Sequence, residues 1–279
     1  VFAMLGTPGD IVLTDPVTYP GIQPIAKFLG LKLHCVLADD DGMLPDSLQL
    51  ACWSSGARLL YLMPTLHNPT TTTMPKQRRL DLVEIARKYD VRIIEDEVCG
   101  VLAGDRIESF TALAAERSFC ITSMSMGVAP GLRAGFVTAP HASSVALRSA
   151  IDAIGARPAP MLSAVAVRWI EDGTADWLLD WQRAELAARN EIASQMLLGQ
   201  SFRADAMAPH IWLELPEPWH SGDFARRLAG RKITLASSAK FAPDQASAPQ
   251  AVRISLGAAP DRETLRKGLA GVVIALDEH

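Results

Sequence analysis

A strand-like apolar segment, Leu59–Met63, is followed directly by the polar segment Pro64–Thr70. Because Pro69 disfavours a helical conformation at the residue before it, we expect Asn68 to be extended. Its side-chain amide could then reach a ligand at the end of the strand. An Asn-Pro pair is also common in turns, so this motif alone does not decide between a binding site and an ordinary turn.

Three consecutive acids, Glu95, Asp96 and Glu97, end a second apolar segment. An acid at the buried end of such a segment is costly unless a cation lies beside it. A heteroaromatic nitrogen that must stay protonated would be such a cation. The alternative is an acidic turn that is exposed to solvent.

Two further segments carry arginines that could bind anions. In Ile121–Gly135, Arg133 follows Ser123 by ten residues, with small residues and glycines between them. Hydroxyls, backbone amides and one arginine can hold a phosphate, although the same residues also make an ordinary loop. In Ala251–Leu256, Arg253 lies inside an apolar run. Its planar guanidinium could bind a carboxylate with two hydrogen bonds, or it could point to solvent from an edge strand.

The first half of the chain alternates short apolar segments with helical patterns. The predicted buried strands are Ile11–Leu13, Arg58–Met63, Val91–Glu95, Phe119–Ser123 and Ala134–Thr138. Helices are predicted over Pro20–Leu29 and Pro75–Tyr89, and the basic residues of the second, Arg79 among them, are expected to face water. This alternation predicts an α/β fold with a mostly parallel sheet, helices on both faces, and ligands at the carboxyl ends of the strands.

The pattern changes near residue 140. Helices are predicted at 142–154, 161–171 and 175–199. A smaller α+β unit follows, with strands at Ile211–Leu215, Ile233–Ala236 and Val252–Leu256, a helix from Ser221 to Ala229, and a closing helix from Asp261. We therefore predict a large α/β domain at 1–175, followed at 176–279 by an interdomain helix and a small C-terminal α+β domain.

Composition excludes several classes of protein. The 279 residues carry a net charge of −4, and 49% are hydrophobic, which suffices for a sizeable core but argues against a domain that binds nucleic acid by itself. No apolar run approaches the roughly 20 residues of a membrane span, and Val1–Gly9 lacks the pattern of a signal peptide. The four scattered cysteines fit reduced thiols, so we expect a cytoplasmic protein.

In their order and spacing, these motifs resemble those of the aminotransferase-like domain of fold-type-I enzymes that use pyridoxal 5′-phosphate (PLP). More narrowly, they resemble the MocR group of GntR-superfamily transcriptional regulators. The matching segments are Leu13–Ile22, Asp39–Asp46, Pro64–Thr70, Glu95–Gly100, Ala129–Arg133, His210–Pro216 and Val252–Leu256. The resemblance runs from about residue 8 to residue 275. It implies the type-I fold of PLP-dependent transferases, with the N-terminal part of the large domain missing from this chain.

The resemblance also implies individual roles. Tyr19 would stack on the pyridine ring of PLP, Asn68 would bind its 3-hydroxyl, and Asp96 would keep its nitrogen protonated. The residues implied to hold the phosphate are Ser123, Ser125 and Arg133. Arg253 would bind the α-carboxylate of an amino-acid substrate or effector, whereas His210 is expected to be structural.

Two positions depart from the family pattern. The Schiff-base lysine of the family lies seven residues before the phosphate-binding arginine, and here that position is Met126. A thioether can neither attach the cofactor covalently nor carry a proton to and from the substrate. The tyrosine that normally supports the 3-hydroxyl, three residues after the aspartate, is Cys99.

Three explanations of Met126 remain open. The enzyme-like domain has become a ligand sensor or a structural dimerisation domain of a regulator. Alternatively, the protein is an active aminotransferase and Met126 was introduced by design or by error. In the third, another lysine, for example Lys240, reaches the cofactor. The resemblance implies a homodimer, PLP bound non-covalently if at all, and DNA contact only through an N-terminal winged-helix domain outside this chain. The histidines lack the spacing of a metal site.

Overall fold

The computed structural model describes residues 1–104 and 107–278. Twelve strands lie in these ranges: β1 (Ile11–Thr14), β2 (Lys32–Cys35), β3 (Ala38–Asp39), β4 (Gly42–Met43), β5 (Leu59–Leu62), β6 (Arg92–Asp96), β7 (Ser118–Ser123), β8 (Gly135–Thr138), β9 (Phe202–Arg203), β10 (His210–Glu214), β11 (Ala236–Ser237) and β12 (Ala251–Ser255). Six of them form one sheet in the spatial order β2-β1-β5-β6-β7-β8. All neighbours in it are parallel except β7 and β8, which are antiparallel. The predicted mostly parallel α/β sheet is confirmed.

Ten α-helices lie in the described ranges. They are α1 (Phe2–Leu5), α2 (Ile22–Leu29), α3 (Pro45–Ser55), α4 (Lys76–Lys88), α5 (Phe110–Leu113), α6 (Ser144–Ala153), α7 (Pro160–Glu171), α8 (Thr174–Met196), α9 (Ser221–Gly230) and α10 (Arg262–Leu276). Proline at the first position of α3 needs no hydrogen-bonding partner for its nitrogen, and Gly56 ends that helix in the left-handed conformation. Among the described residues, none of these helices is both long and apolar enough to cross a bilayer.

Successive residues of the central strands pack on opposite faces of the large sheet. Leu60 and Ile93 pack in a cluster that also contains residues of α3 and α4. Tyr61 and Ile94 pack on the other face, with Ile22 of α2. Because both faces are covered, β5 and the middle of β6 consist of buried residues rather than an alternation of apolar and polar ones. This packing brings the carboxyl ends of β1, β5, β6 and β7 to one edge.

A second sheet forms in the C-terminal part of the chain. Its spatial order is β11-β12-β10-β9, and all of its neighbours are antiparallel. The sheet packs with the end of α8, with α9 and with α10 around a separate apolar cluster, in which Ile192, Phe224 and Leu269 are buried. Helix α8, 23 residues long, connects the two parts of the chain.

Most predicted elements are present with bounds that differ by a few residues, but some predictions are wrong. The strand predicted at Ile233–Ala236 is only the two-residue β11, because the N–H of Ile233 donates to the carbonyl of Leu228 and so completes the end of α9. Strand β2 and helix α3 were not predicted. Strand β2 lies at the sheet edge and is half exposed, so it lacks the apolar run of the central strands.

The expectation that Arg79 faces water is also wrong. Its side chain is fully buried under the loop that follows β5. There Nε donates to the carbonyl of Met74 at 3.1 Å, and Nη2 donates to the carbonyl of Pro64 at 3.1 Å and to Oγ1 of Thr65 at 2.9 Å. These acceptors come from outside α4, so the periodicity of the helix contains no indication of them.

Candidate functional site

A cavity of about 510 Å³ lies where the carboxyl ends of the parallel strands face the small sheet. All nine residues singled out in the sequence line it: Tyr19, Asn68, Asp96, Cys99, Ser123, Ser125, Met126, Arg133 and Arg253. It is further lined by Met63, Val98, Ala134, Gly135, Pro209, His210 and Ser255. Its volume is in the range of small-molecule sites, about 300–1,000 Å³. The structure thus places the nine residues around one cavity.

Asp96 ends β6 and is 7% exposed. The hydroxyl of Tyr61 donates to its Oδ2 at 2.7 Å, and the backbone N–H of Val98 donates to its Oδ1 at 3.0 Å. Burial nevertheless raises the pKa of the Asp96 carboxyl, and these two hydrogen bonds offset only part of the effect. A cation placed at this carboxyl would therefore be bound strongly.

The acids on either side of Asp96 point to the opposite face of the sheet, as the alternation of a strand requires. Glu95 accepts hydrogen bonds from the backbone N–H groups of Phe110, at 2.9 Å, and Thr111, at 3.3 Å. Arg79 lies 3.7 Å from Glu95 and 3.8 Å from Glu97. The predicted alternative of a solvent-exposed acidic turn is wrong for this segment, since Glu95 and Asp96 are buried and Glu97 nearly so.

The loop between β7 and β8 supplies the hydroxyls and the arginine that were expected to bind phosphate. The Oγ of Ser123 accepts a hydrogen bond from the backbone N–H of Ser125 at 3.2 Å. Arg133 has a left-handed backbone, with φ of 50°, directly after a turn of 3₁₀-helix at Pro130–Leu132. Its side chain is exposed, and no carboxylate in the described part of the chain pairs with it. The loop thus presents a cation and two hydroxyl groups at one wall of the cavity.

Arg253 and Asn68 meet across the cavity. Arg253 lies in the middle of β12, and its Nη1 donates to Oδ1 of Asn68 at 2.7 Å. Its guanidinium also lies over the ring of Phe241, 4.9 Å from the centroid. Its Nε is buried and has no hydrogen-bonding partner among the described residues. A half-buried guanidinium that lines the cavity and, among the described residues, donates only to Asn68 has donors left for an anionic ligand.

His210 begins β10 beside this pair. Its Nε2 lies 3.3 Å from the backbone carbonyl of His67, to which it can only donate. Burial, helped by the charge of Arg253, lowers the pKa of His210 to about 3. The imidazole is therefore neutral at physiological pH and connects the small sheet to the loop after β5. This is compatible with the structural role that was predicted for it.

Three side chains complete the floor and the mouth of the cavity. Tyr19 is 43% exposed, and a side chain at position 21 would collide with its ring, which explains Gly21. Met126 is half-buried and packs against the apolar cluster beneath the sheet. Cys99 is buried, and burial raises the pKa of its thiol to about 12, so it stays protonated.

Sequence reasoning missed Tyr61, whose hydroxyl bonds to Asp96. It lies in β5, opposite Ile94 in the register with β6, on the same face of the sheet as Asp96. A tyrosine within a buried strand needs a partner for its hydroxyl. The indication available in the sequence was its position near the carboxyl end of β5, the strand next to β6.

The chain is similar to known proteins over almost its whole length. It is 28% identical over 276 residues to the uncharacterized HTH-type transcriptional regulator YdeF of Bacillus subtilis (strain 168), a match that covers 99% of this chain and 60% of that protein. It is also 28% identical over 244 residues to an aromatic amino acid aminotransferase of Schizosaccharomyces pombe, covering 74% of this chain and 52% of the relative. The chain thus spans only about half to three fifths of the length of these relatives.

Solved structures and a family model agree on the fold. An archaeal alanine:glyoxylate aminotransferase superposes with a TM-score of 0.87 at 25% identity, covering 99% of this chain and 71% of that one. The multiple substrate aminotransferase of Thermococcus profundus gives 0.89 at 21% identity, covering 99% and 72%. These matches confirm the predicted type-I fold. The model of aminotransferase class I and II matches residues 1–272, so the chain belongs to the aminotransferase class I and II family.

Proposed function

We propose that this chain is the PLP-binding, aminotransferase-like effector domain of a GntR/MocR-type transcriptional regulator, and that Met126 impairs its catalysis. One observation carries the proposal. A single cavity retains a buried acid, an exposed arginine and a half-buried arginine, while a thioether occupies the position of the lysine. Such a site retains the means of binding while it lacks the group for covalent attachment.

The residues of the cavity fit PLP. The protonated ring nitrogen would supply the cation that the buried Asp96 lacks, and Tyr61 and Val98 already hold the carboxyl in place. Arg133, Ser123 and Ser125 would bind the phosphate, and Tyr19 would cover the ring at the mouth of the cavity. Two side chains that hold PLP in the family pattern are replaced here. Cys99 stands in place of the tyrosine that supports the 3-hydroxyl, and Met126 stands in place of the lysine. When bound, PLP supplies an electron sink for charge that develops at a substrate α-carbon.

Met126 determines what such a site can do. A thioether has no proton to donate at neutral pH and no lone pair basic enough to accept one from a carbon acid. General acid–base assistance is worth about 10²–10⁴-fold in rate, and this assistance is lost here. Arg253 could still bind the carboxylate of an amino acid, because its guanidinium lines the cavity and, within the described ranges, donates only to Asn68. Binding without turnover is what a sensor requires.

A second candidate function is a PLP-dependent aminotransferase that acts on an amino acid, in which Met126 was introduced by design or by error. The observation that favours it is that Asn68, Asp96, Arg133 and Arg253 all line the same cavity. A purely structural domain would have little use for all four. The matches to both regulators and aminotransferases are compatible with either candidate.

The proposal extends to the organisation of the protein. We place the large PLP-binding domain at 1–175 and the interdomain helix with the small domain at 176–279, supported by the two separate apolar clusters. We also propose a cytoplasmic homodimer. Contact with DNA would be made by an N-terminal winged-helix domain outside these 279 residues. The HTH-type regulators among the relatives and the net charge of −4 support this assignment.

The test is a titration of the purified chain with PLP, followed by visible absorption and by borohydride reduction. We expect the parent protein to bind PLP reversibly, with no label that survives reduction and denaturation. The variant Met126→Lys should bind PLP and retain it after reduction. A matched control, Met161→Lys, adds a lysine at a site that is 78% exposed and outside the cavity, and it should behave as the parent.

Each result separates the candidates. If neither the parent nor Met126→Lys binds PLP, the domain is not a PLP sensor. If the parent itself becomes labelled, another lysine reaches the cofactor, and Lys240 would be substituted next. Met126→Lys could gain transamination of an amino acid in addition to covalently attached PLP. This result would favour the aminotransferase candidate over the sensor candidate.

A further inference from the structure

A second buried polar network lies behind Asn68, outside the cavity. The side chains of Asp15 and His67 are each 8% exposed, and Oδ2 of Asp15 lies 3.6 Å from Nε2 of His67. On the other side of the imidazole, Oγ1 of Thr70 lies 2.8 Å from Nδ1, and the backbone N–H of Thr70 points to the same nitrogen at 3.4 Å. None of the roles assigned to the cavity uses these three residues.

The partners of the imidazole determine where its proton lies. A backbone N–H can only donate, so Nδ1 of His67 acts as the acceptor for Thr70. With Nδ1 acting as an acceptor, the ring has its N–H at Nε2, which lies 3.6 Å from Oδ2 of Asp15 and has no hydrogen-bonding partner among the described residues. The imidazole is thus hydrogen-bonded at Nδ1 by a residue of its own loop, while its Nε2 edge faces the carboxyl of Asp15, directly after β1, as an electrostatic contact.

The loop that carries His67 is strained at two positions. Leu66 and Thr71 have φ angles of 48° and 65°, in the left-handed region that non-glycine residues rarely adopt. For Thr71 this is especially unfavourable because its side chain is β-branched. The backbone groups of His67 help to close the loop, since its N–H donates to the carbonyl of Thr72 and its carbonyl accepts from Thr71. Such strain persists only where the surroundings hold the chain in place.

Asn68 is the residue that this loop presents to the cavity, and it follows His67 directly. We propose that Asp15 and His67 are positioning residues, which hold the strained 66–71 loop so that Asn68 faces the 3-hydroxyl of PLP and Nη1 of Arg253. The inference rests on the proposed function for the identity of the ligand. It does not rest on that function for the network itself.

The first test is a double-mutant cycle on PLP affinity. His67→Phe keeps a ring but removes both nitrogen atoms, and we expect PLP affinity to fall by about tenfold. Asp15→Asn keeps the shape of the side chain and should lower PLP affinity by about threefold, because it removes the carboxyl that lies 3.6 Å from Nε2 of His67. In an Asn68→Ala background neither change should add more than about twofold. His34→Phe, an exposed histidine of β2, should leave the affinity unchanged.

The losses of PLP affinity could be as large in the Asn68→Ala background as in the parent. His67 and Asp15 would then act on the structure in general, and the inference would be wrong. An unchanged affinity in both single variants would overturn it as well. If the parent fails to bind PLP, the proposed function is rejected instead, and measurements without ligand decide the inference.

Two such measurements need only the protein. Nitrogen NMR of the parent should find the proton of His67 on Nε2, and Asp15→Asn should shift that resonance. Hydrogen–deuterium exchange of His67→Phe and Asp15→Asn should be faster over residues 66–72 and unchanged in β10. A proton on Nδ1, or exchange that is equal to the parent over 66–72, would contradict the inference.

Discussion

Three consecutive acids at the end of β6 lie in two different environments. Glu95 and Glu97 face Arg79 on one side of the sheet, where backbone N–H groups and Thr65 also donate to them. Asp96 faces the cavity on the other side, where its partners are the hydroxyl of Tyr61 and one backbone N–H. No arginine or lysine in the described ranges forms an ion pair with it.

This difference separates a structural acid from one that is available to a ligand. Arg79 connects the end of β5 and α4 to β6, and its single charge is shared by the two carboxyl groups of Glu95 and Glu97. The charge of Asp96 is not balanced by any side chain that the structure describes, and its pKa is raised by burial. Three variants test whether the two sides differ in this way.

The largest effect is expected from Arg79→Met, which removes the cation shared by the two glutamates. Because Glu95 is fully buried, its charge would be left without compensation, and we expect the free energy of unfolding to fall by about 3–5 kcal/mol. Urea denaturation measures this loss. Arg87→Met is the control, since Arg87 and Glu116 form a half-exposed pair whose removal should cost about 1 kcal/mol or less. Equal losses in the two variants would contradict the structural role of Arg79.

The next effect concerns the pH dependence of stability. Burial, reinforced by the charge of Glu95, raises the pKa of Glu97 from 4.5 to about 7. The folded state therefore binds this proton more tightly than the unfolded chain does, and stability falls as the pH rises from about 4.5 to about 7. At 1.36 kcal/mol for each unit of pKa, the contribution of Glu97 is about 3 kcal/mol at most.

Glu97→Gln should flatten this part of the stability profile, measured by urea denaturation at several pH values. Glu116→Gln is the matched control. Hydrogen bonding to Arg87 lowers the pKa of Glu116 to about 2, so its contribution is present above about pH 4.5 and is lost only as the pH falls below that value. It should leave the slope between pH 5 and 7 as in the parent. A slope in Glu97→Gln as steep as in the parent would show that Glu97 ionises normally.

The smallest change in stability is expected on the cavity side. Asp96→Asn removes a charge that forms no ion pair with a described residue, so the free energy of unfolding should change by less than about 1 kcal/mol. Its affinity for PLP should nevertheless fall roughly 30-fold, because a hydrogen bond between charged groups is lost. The PLP titration measures the affinity, and urea denaturation measures the free energy of unfolding. A loss of stability as large as that of Arg79→Met, without a loss of affinity, would remove the distinction between the two sides.

Much of the site could be predicted because its residues lie at the ends of recognisable strands. Asn68, Asp96 and Ser123 follow or end β5, β6 and β7, and parallel strands bring their carboxyl ends together. Arg253 stood out because a charged residue interrupts an apolar strand. That these residues line one cavity therefore follows from local patterns and one general rule of topology.

The rest depends on contacts that no local pattern contains. Arg79 lies within a helix of alternating basic and apolar residues, and only the loop after β5 reveals that its donors are used by buried carbonyls. The partner of Asp96, Tyr61, comes from a neighbouring strand, and the partner of Asn68, Arg253, is 185 residues away. Edge strand β2 was missed because half-exposed strands carry no continuous apolar run.

The hydrogen bond between Arg253 and Asn68 has a mechanical consequence. It is a direct polar link between the small sheet and the loop after β5, and it uses the same guanidinium that would receive a ligand carboxylate. A bound amino acid would replace this intramolecular link by one that passes through the ligand, and so would change the distance between the small sheet and the large sheet. Occupancy of the cavity would then alter how the small sheet is connected to the loop after β5, a form of output that requires no chemical turnover.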